Sequence, residues 1–309
     1  YNRESANMLL NDVIPAITGF NSQIVNKGTV RNRGFEISLG ATPIQGKFNW
    51  DFNFNIAINR NMVLSLNENG DRVLSGNNDG NPTHVTVVGK PIGQFFGFVM
   101  EGVYSAADIA NPAIIKTAQV YEGNPKYKDV NGDGKIDAND RTFIGNAFPR
   151  YEYSINVNLT YANFDLNIFG QGVGQRNNYL SGTGAVPFAS GDFAASLLDI
   201  HKNYWRPDNQ NADFPRLLPS GSGGNNFLLA SQWLRSAAYF RIKNVNLGYT
   251  VKKQWLDKAK ISALRVFVSG SNLLTISKAW KGFDPEINNA NAEFYPLMRT
   301  YTAGINVTF

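Results

Sequence analysis

Several residue types are scarce in this chain, and each scarcity excludes a class of protein. The 309 residues include no Cys and only two His, which lie far apart at His84 and His201. A disulfide-stapled secreted fold is therefore excluded, and neither a zinc cluster nor a His-dependent hydrolase is expected. The lack of Cys also suits an oxidising compartment, where a free thiol is a liability.

Charge and long apolar runs are scarce as well. Charged residues make up 17% of the chain, and the net charge of +5 is spread without a Lys/Arg block, so nucleic-acid binding is not predicted. No run approaches the roughly 20 apolar residues of a membrane helix. The chain opens at Tyr1 with neither a start Met nor a leader, so we expect a piece of a longer protein.

Apolar and polar residues instead alternate along much of the chain. From Tyr151 to Tyr161 the odd positions are aromatic or aliphatic and the even positions are polar, which predicts a strand with one apolar face. Seven further segments complete a prediction of eight strands: Tyr1–Leu10 (less regular), Phe35–Leu39, Phe52–Ile58, Phe164–Ile168, Val245–Val251, Leu264–Val268 and Tyr301–Phe309. Short helical pieces are predicted only at Ala189–Tyr204 and Gln254–Ala259.

This alternation fits either a soluble antiparallel sandwich or a transmembrane β-barrel. Three properties favour the barrel. The strands are about ten residues long, near the span of a tilted membrane strand. Tyr and Phe sit at strand ends, as in interfacial girdles, and the polar face carries Asn, Ser, Thr and Gly rather than the Lys/Glu mixture of a solvated surface. The predicted fold class is therefore an all-β transmembrane antiparallel barrel with a wet lumen.

The lengths of the connections favour the barrel independently. Short and long connections alternate strictly, as in outer-membrane barrels with short periplasmic turns and long outward loops. The C terminus is then periplasmic. The short connections are Ala41–Phe48, Tyr161–Phe164 and Thr250–Ser262, and the long ones are Val13–Thr29, Leu64–Arg150, Arg176–Trp233 and Ile276–Arg299.

Eight strands are too few for this lumen. Inward Asn, Ser, Gly and Thr would leave gaps in a small closed barrel, and an open sheet would expose unpaired edges to lipid. We therefore expect the chain to be the closing segment of a larger barrel, completed by other sequence or by another chain.

The sharpest local motif lies in the longest connection, at residues 129–140. It places oxygen-bearing residues at the spacing of a calcium loop, with Gly134 at the sixth position and Ile136 at the eighth. The candidate ligands are Asp129, Asn131, Asp133, Lys135 (through its backbone carbonyl), Asp137 and Asp140. The alternative is an Asx-rich turn without metal. The calcium ion would be a structural staple rather than a sensor, because neither flank reads as a helix.

Other motifs are weaker, and no active site is predicted. Gly170, Gly172 and Gly174 resemble a phosphate loop, but no helix follows, which favours strand-end glycines. The pair Asp284 and Glu286 lacks a defined pocket and is interpreted as a loop element. Aromatic residues in the outward loops either stack on sugar rings, grip a partner or pack within the loops: Tyr204, Trp205, Trp233, Trp280, Phe283 and Tyr295.

A series of motifs, in order along the chain, resembles the C-terminal barrel signature of SusC/RagA-type TonB-dependent transporters. The resemblance rests on Asn32-Arg-Gly-Phe-Glu36, Gly89-Lys-Pro-Ile-Gly93 with Gly97, Asp129-Val-Asn-Gly-Asp-Gly-Lys-Ile136 with Ile144-Gly145, Arg241 to Thr250, Leu264 to Leu274, Gly282-Phe-Asp-Pro-Glu286 and the final Phe309. Residues 1–309 are thus identified as resembling a C-terminal barrel segment, with 64–150 as a long extracellular loop.

The resemblance implies a 22-stranded barrel in the outer membrane of Bacteroidetes-type bacteria. It also implies an N-terminal plug, absent from this sequence, on which TonB pulls, and a SusD-like lipoprotein that caps the outer face. The implied function is energy-coupled import of oligomeric nutrients such as glycans or peptides, without enzymatic activity.

Two other functions stay open at this stage. One is a non-transporting surface or assembly-complex subunit that has kept the same barrel. The other is a secreted calcium-dependent carbohydrate-binding or hydrolytic module, which would need a soluble sheet. Detergent dependence separates the soluble module from the other two.

Overall fold

A computed structural model of the chain describes all residues except 14–21, 67–71, 77–81, 117–119, 186, 188–196, 219–225, 288 and 291–293. The described part is all-β, with two short helices, α1 (Ala106–Ala110) and α2 (Gly182–Ala185). Its strands in chain order are β1 Asn2–Val13, β2 Ser22–Ile44, β3 Phe48–Ser65, β4 Val73–Ser75, β5 His84–Thr86, β6 Gln94–Gly97, β7 Met100–Val103, β8 Pro125–Tyr127, β9 Thr142–Gly145, β10 Tyr151–Tyr161, β11 Phe164–Gly174, β12 Asn177–Leu180, β13 Leu234–Ser236, β14 Tyr239–Thr250, β15 Ala263–Ser277, β16 Asn289–Ala290 and β17 Thr300–Thr308.

Eight of these strands form one antiparallel sheet, which we call the wall. Its order is β1-β2-β3-β10-β11-β14-β15-β17, so every strand pairs with its neighbours along the wall. All eight predicted strands are confirmed as members of the wall. In the part of the chain that is described, β1 and β17 do not pair with each other, and the sheet is open.

The two faces of the wall differ as the alternation predicts. One, the apolar face, carries Phe35 and Ile305, which are 73% and 64% exposed. The other, the polar face, carries Asn, Ser and Thr. A soluble sandwich would bury the apolar residues against a second sheet, so the sandwich alternative is excluded by their exposure.

Two predicted lengths are wrong. The strands β2 and β3 contain 23 and 18 residues instead of about ten, and β2 already begins at Ser22, so Val13–Thr29 is not a long loop. The outer halves of β1, β2 and β3 pair with one another beyond the apolar segment. Arg, Lys and Asn there hide the alternation on which the sequence prediction depends.

A bulge in β14 keeps each face of the wall uniform. The register with β11 shifts between Ile242 and Asn244, which pair with the consecutive residues Gly170 and Phe169. The extra residue, Lys243, puts Arg241 on the same polar face as Asn244 and Asn246, because side chains otherwise alternate strictly. The apolar positions change accordingly from even to odd numbers along this strand.

Helix is almost absent from the described residues. The predicted helical piece at 254–259 is two 3-10 turns, Lys253–Trp255 and Asp257–Ala259, and Asp199–Lys202 is a third such turn. Half of the other predicted piece, residues 189–196, lies outside the described residues. Within the residues that are described, no helix has both the length and the hydropathy needed to cross a membrane.

The long connections are folded and pack together at one end of the wall. They contain a four-stranded sheet (β4-β5-β6-β9), a three-stranded sheet (β13-β12-β16) and a two-stranded sheet (β7-β8). We call the assembly of the described residues within 66–150, 175–238 and 278–299 the loop cluster. The other end of the wall carries only the connections 45–47, 162–163 and 251–262.

Candidate functional site

The polar face of the wall is built from neutral hydrogen-bonding side chains. Asn167 donates through Nδ2 to the Oδ1 atoms of Asn156, at 2.8 Å, and Asn158, at 2.6 Å. Nearer the loop cluster, Asn59 and Asn61 both donate to Oδ1 of Asn32. These amides keep further donors and acceptors for water or a polar solute, so this face can line an aqueous passage.

A charged pair also lies on this face, closer to the short connections. Arg265 donates through Nε to Oδ1 of Asp165 at 3.0 Å and through Nη2 to Oδ1 of Asn246 at 2.8 Å. Gly248 leaves room for the guanidinium, since a Cβ there would lie 2.3 Å from Nη2 of Arg265. The small residue thus allows the cation to lie flat against the strand.

The loop cluster has a hydrophobic core of its own. Its buried residues come from all three long connections: Phe95, Phe98, Tyr127, Tyr179, Leu180, Ala185, Phe214, Leu229, Ala230, Trp233, Leu234 and Trp280. Trp233 is 0% exposed at the centre and contacts the rings of Phe214 and Phe227. The three connections therefore fold as one unit.

Hydrogen bonds join the first and second of these connections. The backbone N–H of Phe98 donates to the carbonyl of Leu229 at 2.7 Å, and Ser231 N–H returns a bond to Phe98 at 2.9 Å. Gly97 is needed at this approach, because a Cβ would lie 2.3 Å from the Leu229 carbonyl oxygen. Asn124 also donates to the side chain of the buried Asn226.

Arg241 fastens the third connection to the polar face of the wall. It is 1% exposed, and its Nη2 lies 2.7 Å from Oδ2 of Asp284, while Nη1 lies 3.2 Å from Oε2 of Glu286. Its Nε donates to Thr275 on the neighbouring strand at 2.8 Å. A buried cation is stable only with such partners, so removing the carboxylates would leave an uncompensated charge.

Glu286 is the second centre of this network. Its Oε1 accepts bonds from Lys243 Nζ at 2.5 Å and Tyr239 Oη at 2.6 Å. Burial opposes ionisation of Glu286, but the hydrogen bonds from Lys243 and Tyr239 and the charge of Arg241 outweigh it, so the pKa lies below its ordinary value. Arg176 holds the same segment by donating to the carbonyls of Pro285 and Ile287.

Sequence reasoning missed the role of this network. The sequence indicates only a loop element for Asp284 and Glu286, and only a strand motif for Arg241. The sequence signal for this network is the charge of Arg241 in the middle of an otherwise neutral strand face, since a buried charge needs a partner.

The predicted calcium loop is an exposed turn whose carboxylates face its own backbone. Asp129 accepts from the N–H groups of Gly132 at 2.6 Å and Gly134 at 2.9 Å. Asp133 accepts from Lys135 N–H at 2.9 Å, and Asp137 from Asn139 N–H at 2.7 Å. Asp129 is half-buried, whereas Asn131, Asp133, Lys135 and Asp137 are exposed.

Asp140 differs from the other members because it is fully buried. Its two oxygens accept from the N–H groups of Val130 at 2.9 Å and Asp137 at 2.8 Å. Burial opposes ionisation, but backbone hydrogen bonds from Asp137, Val130 and Asn131 outweigh it and keep the pKa of Asp140 below its ordinary value. In the described part of the chain, no three Asp, Glu or His side chains converge tightly enough to hold a metal ion.

The structure shows where the three glycines and the loop aromatic residues lie. Gly170, Gly172 and Gly174 lie in β11, as predicted, and a Cβ at Gly172 would meet the Tyr153 ring at 2.4 Å. Trp205, Trp233 and Trp280 are buried, which favours packing within the loops over stacking on a sugar. Tyr295 differs, since it is 79% exposed.

No protein-family model matches this sequence. The chain is nevertheless similar over its whole length to named receptors. It is 30% identical to TonB-dependent receptor P3 of Formosa agariphila, covering 100% of this chain and 32% of that protein. It is 28% identical to TonB-dependent receptor SusC of Bacteroides thetaiotaomicron, covering 100% of this chain and 29% of SusC.

Solved structures agree with the fold. The structure of the RagAB peptide importer in its open-open state matches 100% of this chain with a TM-score of 0.76 at 23% identity, over 32% of the matched chain. The chain spans about a third of the length of the relatives that it matches. The predicted resemblance to SusC/RagA-type TonB-dependent receptors is confirmed over the whole chain, and so is the all-β barrel fold class.

Proposed function

We propose that this chain is the C-terminal barrel segment of an outer-membrane importer that takes up oligomeric nutrients, glycans or peptides, by TonB-dependent transport. The match in both sequence and fold over the whole chain carries the proposal. In this interpretation the apolar face contacts outer-membrane lipid, the short connections and the C terminus are periplasmic, and the loop cluster is extracellular. The chain has no enzymatic role.

The neutral polar face supports the nutrient class. Asn, Ser and Thr side chains offer both donors and acceptors, which suits hydroxyl groups or peptide groups, and they impose little electrostatic selection on what passes. One matched structure is described as a peptide importer, which supports the peptide alternative.

The proposed partner is a SusD-like lipoprotein seated on the loop cluster. The cluster is held by its own core and by Arg241, so it can present a preformed surface with little loss of conformational entropy on binding. TonB would act through the plug of the complete receptor.

Uptake by cells tests the transport function. A strain lacking the full-length receptor should lose accumulation of a labelled oligosaccharide or a labelled oligopeptide, and the wild-type gene should restore it only when TonB is present. Uptake that is unchanged by deletion of the receptor or of TonB would contradict the proposal and favour a non-transporting surface subunit.

We also propose that residues 129–140 bind a structural calcium ion. The exposed oxygens of Asn131, Asp133 and Asp137, the Lys135 carbonyl and the half-buried Asp129 fit a hard cation that prefers oxygen ligands. Asp140 fits least well, because its carboxylate is buried against backbone N–H groups. A bound ion would offset the repulsion of the four carboxylates and stiffen the loop.

Limited proteolysis of the full receptor tests the calcium site. With a Kd of about 10⁻⁵ M, millimolar calcium would stabilise the loop by about 2.7 kcal/mol. A chelator should therefore increase cleavage near 129–140 while the barrel stays intact, and Asp129→Ala with Asp133→Ala should mimic it. The control variant Asp208→Ala with Asp257→Ala removes two exposed carboxylates elsewhere. Cleavage insensitive to the chelator would leave only an Asp-rich turn.

A further inference from the structure

Three arginines lie together on the apolar face of the wall, at the end that carries the loop cluster. Arg31 and Arg33 belong to β2 and Arg60 to β3. The pairing of these strands has no register shift between Val30 and Ala41, so alternation places the three arginines on the same face as Phe35 and Ile58. They belong neither to the polar face nor to the loop core.

The position of the three arginines along the strands follows from the register of β2 and β3. Phe35 pairs with Ile58, and the next positions on the same face are Arg33 and Arg60, which pair with each other. Two residues of strand correspond to about 7 Å. Tyr151, at the end of β10, pairs with Ile58 at the level where the apolar residues stop. The arginines therefore stand directly beyond the apolar band, where lipid headgroups begin.

The charge of this group is not balanced by the protein. Arg33 and Arg60 are directly opposite each other, and like charges in that position destabilise a strand pair. Arg31 lies 3.9 Å from Glu4 and donates weakly to Met62. Among the residues described here, Arg33 and Arg60 have no carboxylate within ion-pair distance, so the group keeps about two uncompensated positive charges.

We propose that Arg31, Arg33 and Arg60 form a binding site for the phosphate groups of a phosphorylated lipid in the outer leaflet. Guanidinium groups bind phosphate through two parallel hydrogen bonds and are weakly hydrated, which suits a membrane interface. Phosphate between Arg33 and Arg60 would remove their repulsion. The proposal rests on the membrane orientation proposed above.

Apolar residues beside the arginines on the same face favour a lipid over a soluble anion as the ligand. Directly below the arginines, the exposed side chains of Phe35 and Ile37 offer an apolar surface for acyl chains. A phosphate on the arginines and chains on this surface would be held together by one molecule. Such a lipid would fix the height of the barrel at this edge of the apolar band.

Native mass spectrometry of the full-length receptor in nonionic detergent tests the site. The probe is lipid A, a glycolipid with two phosphates, compared with lipid A from which both phosphates have been removed. Wild-type receptor should bind the phosphorylated form at least tenfold more tightly. Arg33→Gln with Arg60→Gln should lose that difference, whereas the control Lys252→Gln with Lys253→Gln, with the same change in charge at the other end of the wall, should keep it.

Three outcomes would overturn the proposal. They are equal retention of lipid A by the arginine double variant, equal binding of the dephosphorylated lipid by the wild type, and complete displacement by excess sodium phosphate, which would indicate a soluble-anion site. If the double variant does not show the heat-modifiable mobility of a folded barrel, Arg33→Gln and Arg60→Gln are measured singly. Each should lose at least threefold, and no loss in either overturns the site.

If the proposed membrane orientation is wrong, the result differs from the one expected if only the arginine site is wrong. A receptor that stays soluble and folded without detergent contradicts the proposed function itself. A folded, detergent-dependent receptor that ignores the phosphates of lipid A contradicts only the arginine site.

Discussion

The wall and the loop cluster place their apolar residues in opposite ways. The wall exposes them, with Ile305 at 64% exposure, and turns its amides toward the polar face. The cluster hides its apolar residues, with Trp233 at 0%, and exposes Asp and Lys. One chain therefore contains a sheet with an exposed apolar face joined to a loop cluster with a buried apolar core. This is expected if lipid surrounds the wall and water surrounds the loop cluster.

The source of stability differs accordingly. In the wall, neighbouring strands satisfy each other's backbone groups, and single side chains on the apolar face contact few protein atoms. In the cluster, buried aromatic residues pack together, and hydrogen bonds connect segments more than a hundred residues apart, as from Met100 N–H to Ser231 Oγ. A substitution should therefore affect one region and spare the other.

The largest expected effect is that of Trp233→Ala. Removing a fully buried aromatic side chain costs about 3–5 kcal/mol, and Trp233 contacts Phe214 and Phe227 and accepts a hydrogen bond from Trp280 through its carbonyl. Proteases should then cut the long connections, while the barrel keeps its heat-modifiable migration on gels. Trp255→Ala, at an exposed position in a short connection, serves as the control. Loss of the folded barrel together with the cluster would show that the two regions are not separable.

On the wall, the size of the effect of a new charge depends on the face that carries it. Ile305→Arg should cost about 2–4 kcal/mol in a bilayer, because it puts a charge into the hydrocarbon. Asn306→Arg, one position along the same strand, should cost far less, since it points to water. Equilibrium unfolding in vesicles measures both, and equal losses would contradict the assignment of the faces.

Glycine positions on the wall should give a smaller effect. In Gly172→Ala the new methyl group would lie 2.4 Å from the Tyr153 ring and 2.5 Å from the carbonyl oxygen of Tyr239. Overpacking of this kind costs about 1–3 kcal/mol. Gly40→Ala is the matched control, because only the Asn53 side chain, at 3.0 Å, is near. A thermal midpoint unchanged in both variants would show that the aromatic rings move aside freely.

The junction between wall and cluster should respond weakly to acid. The pKa of Glu286 is lower in the folded protein than its ordinary value of 4.5. Its contribution to stability is therefore complete above that value and is lost as the pH falls through the folded pKa. Hydrogen exchange of residues 284–287 should rise on acidification, and Glu286→Gln should remove part of this dependence. The effect is modest because Glu286 is 34% exposed and water screens its contacts.

Sequence alone predicts the wall well because its rule is local. Tyr151 to Tyr161 reads as a strand without any knowledge of its neighbours, and β10 has these bounds. The prediction fails where local alternation stops. The predicted loop Val13–Thr29 includes residues 22–29, where Asn26, Lys27 and Gly28 break the alternation, although pairing with β1 holds this part in a strand.

The loop cluster could not be predicted in the same way. Nothing near Trp233 in the sequence indicates that Phe214 and Trp280 surround it, since these contacts depend on how three connections meet. The same is true of Arg241, whose partners Asp284 and Glu286 come more than forty residues later. The calcium loop differs, because the spacing of its candidate ligands is visible in the local sequence. Binding of calcium there stays a prediction.

The pairing pattern also dictates an order of assembly. Each wall strand pairs with the next wall strand in chain order, so strands can be added one at a time, and the cost in loop-closure entropy grows only slowly with the length of the connections. The cluster must wait, because Trp280 and β16 come from the last connection before β17. We expect the long connections to cross to the far side of the membrane as unfolded chain. Their core would then condense as the slow, final phase of folding, after the wall that carries them is complete.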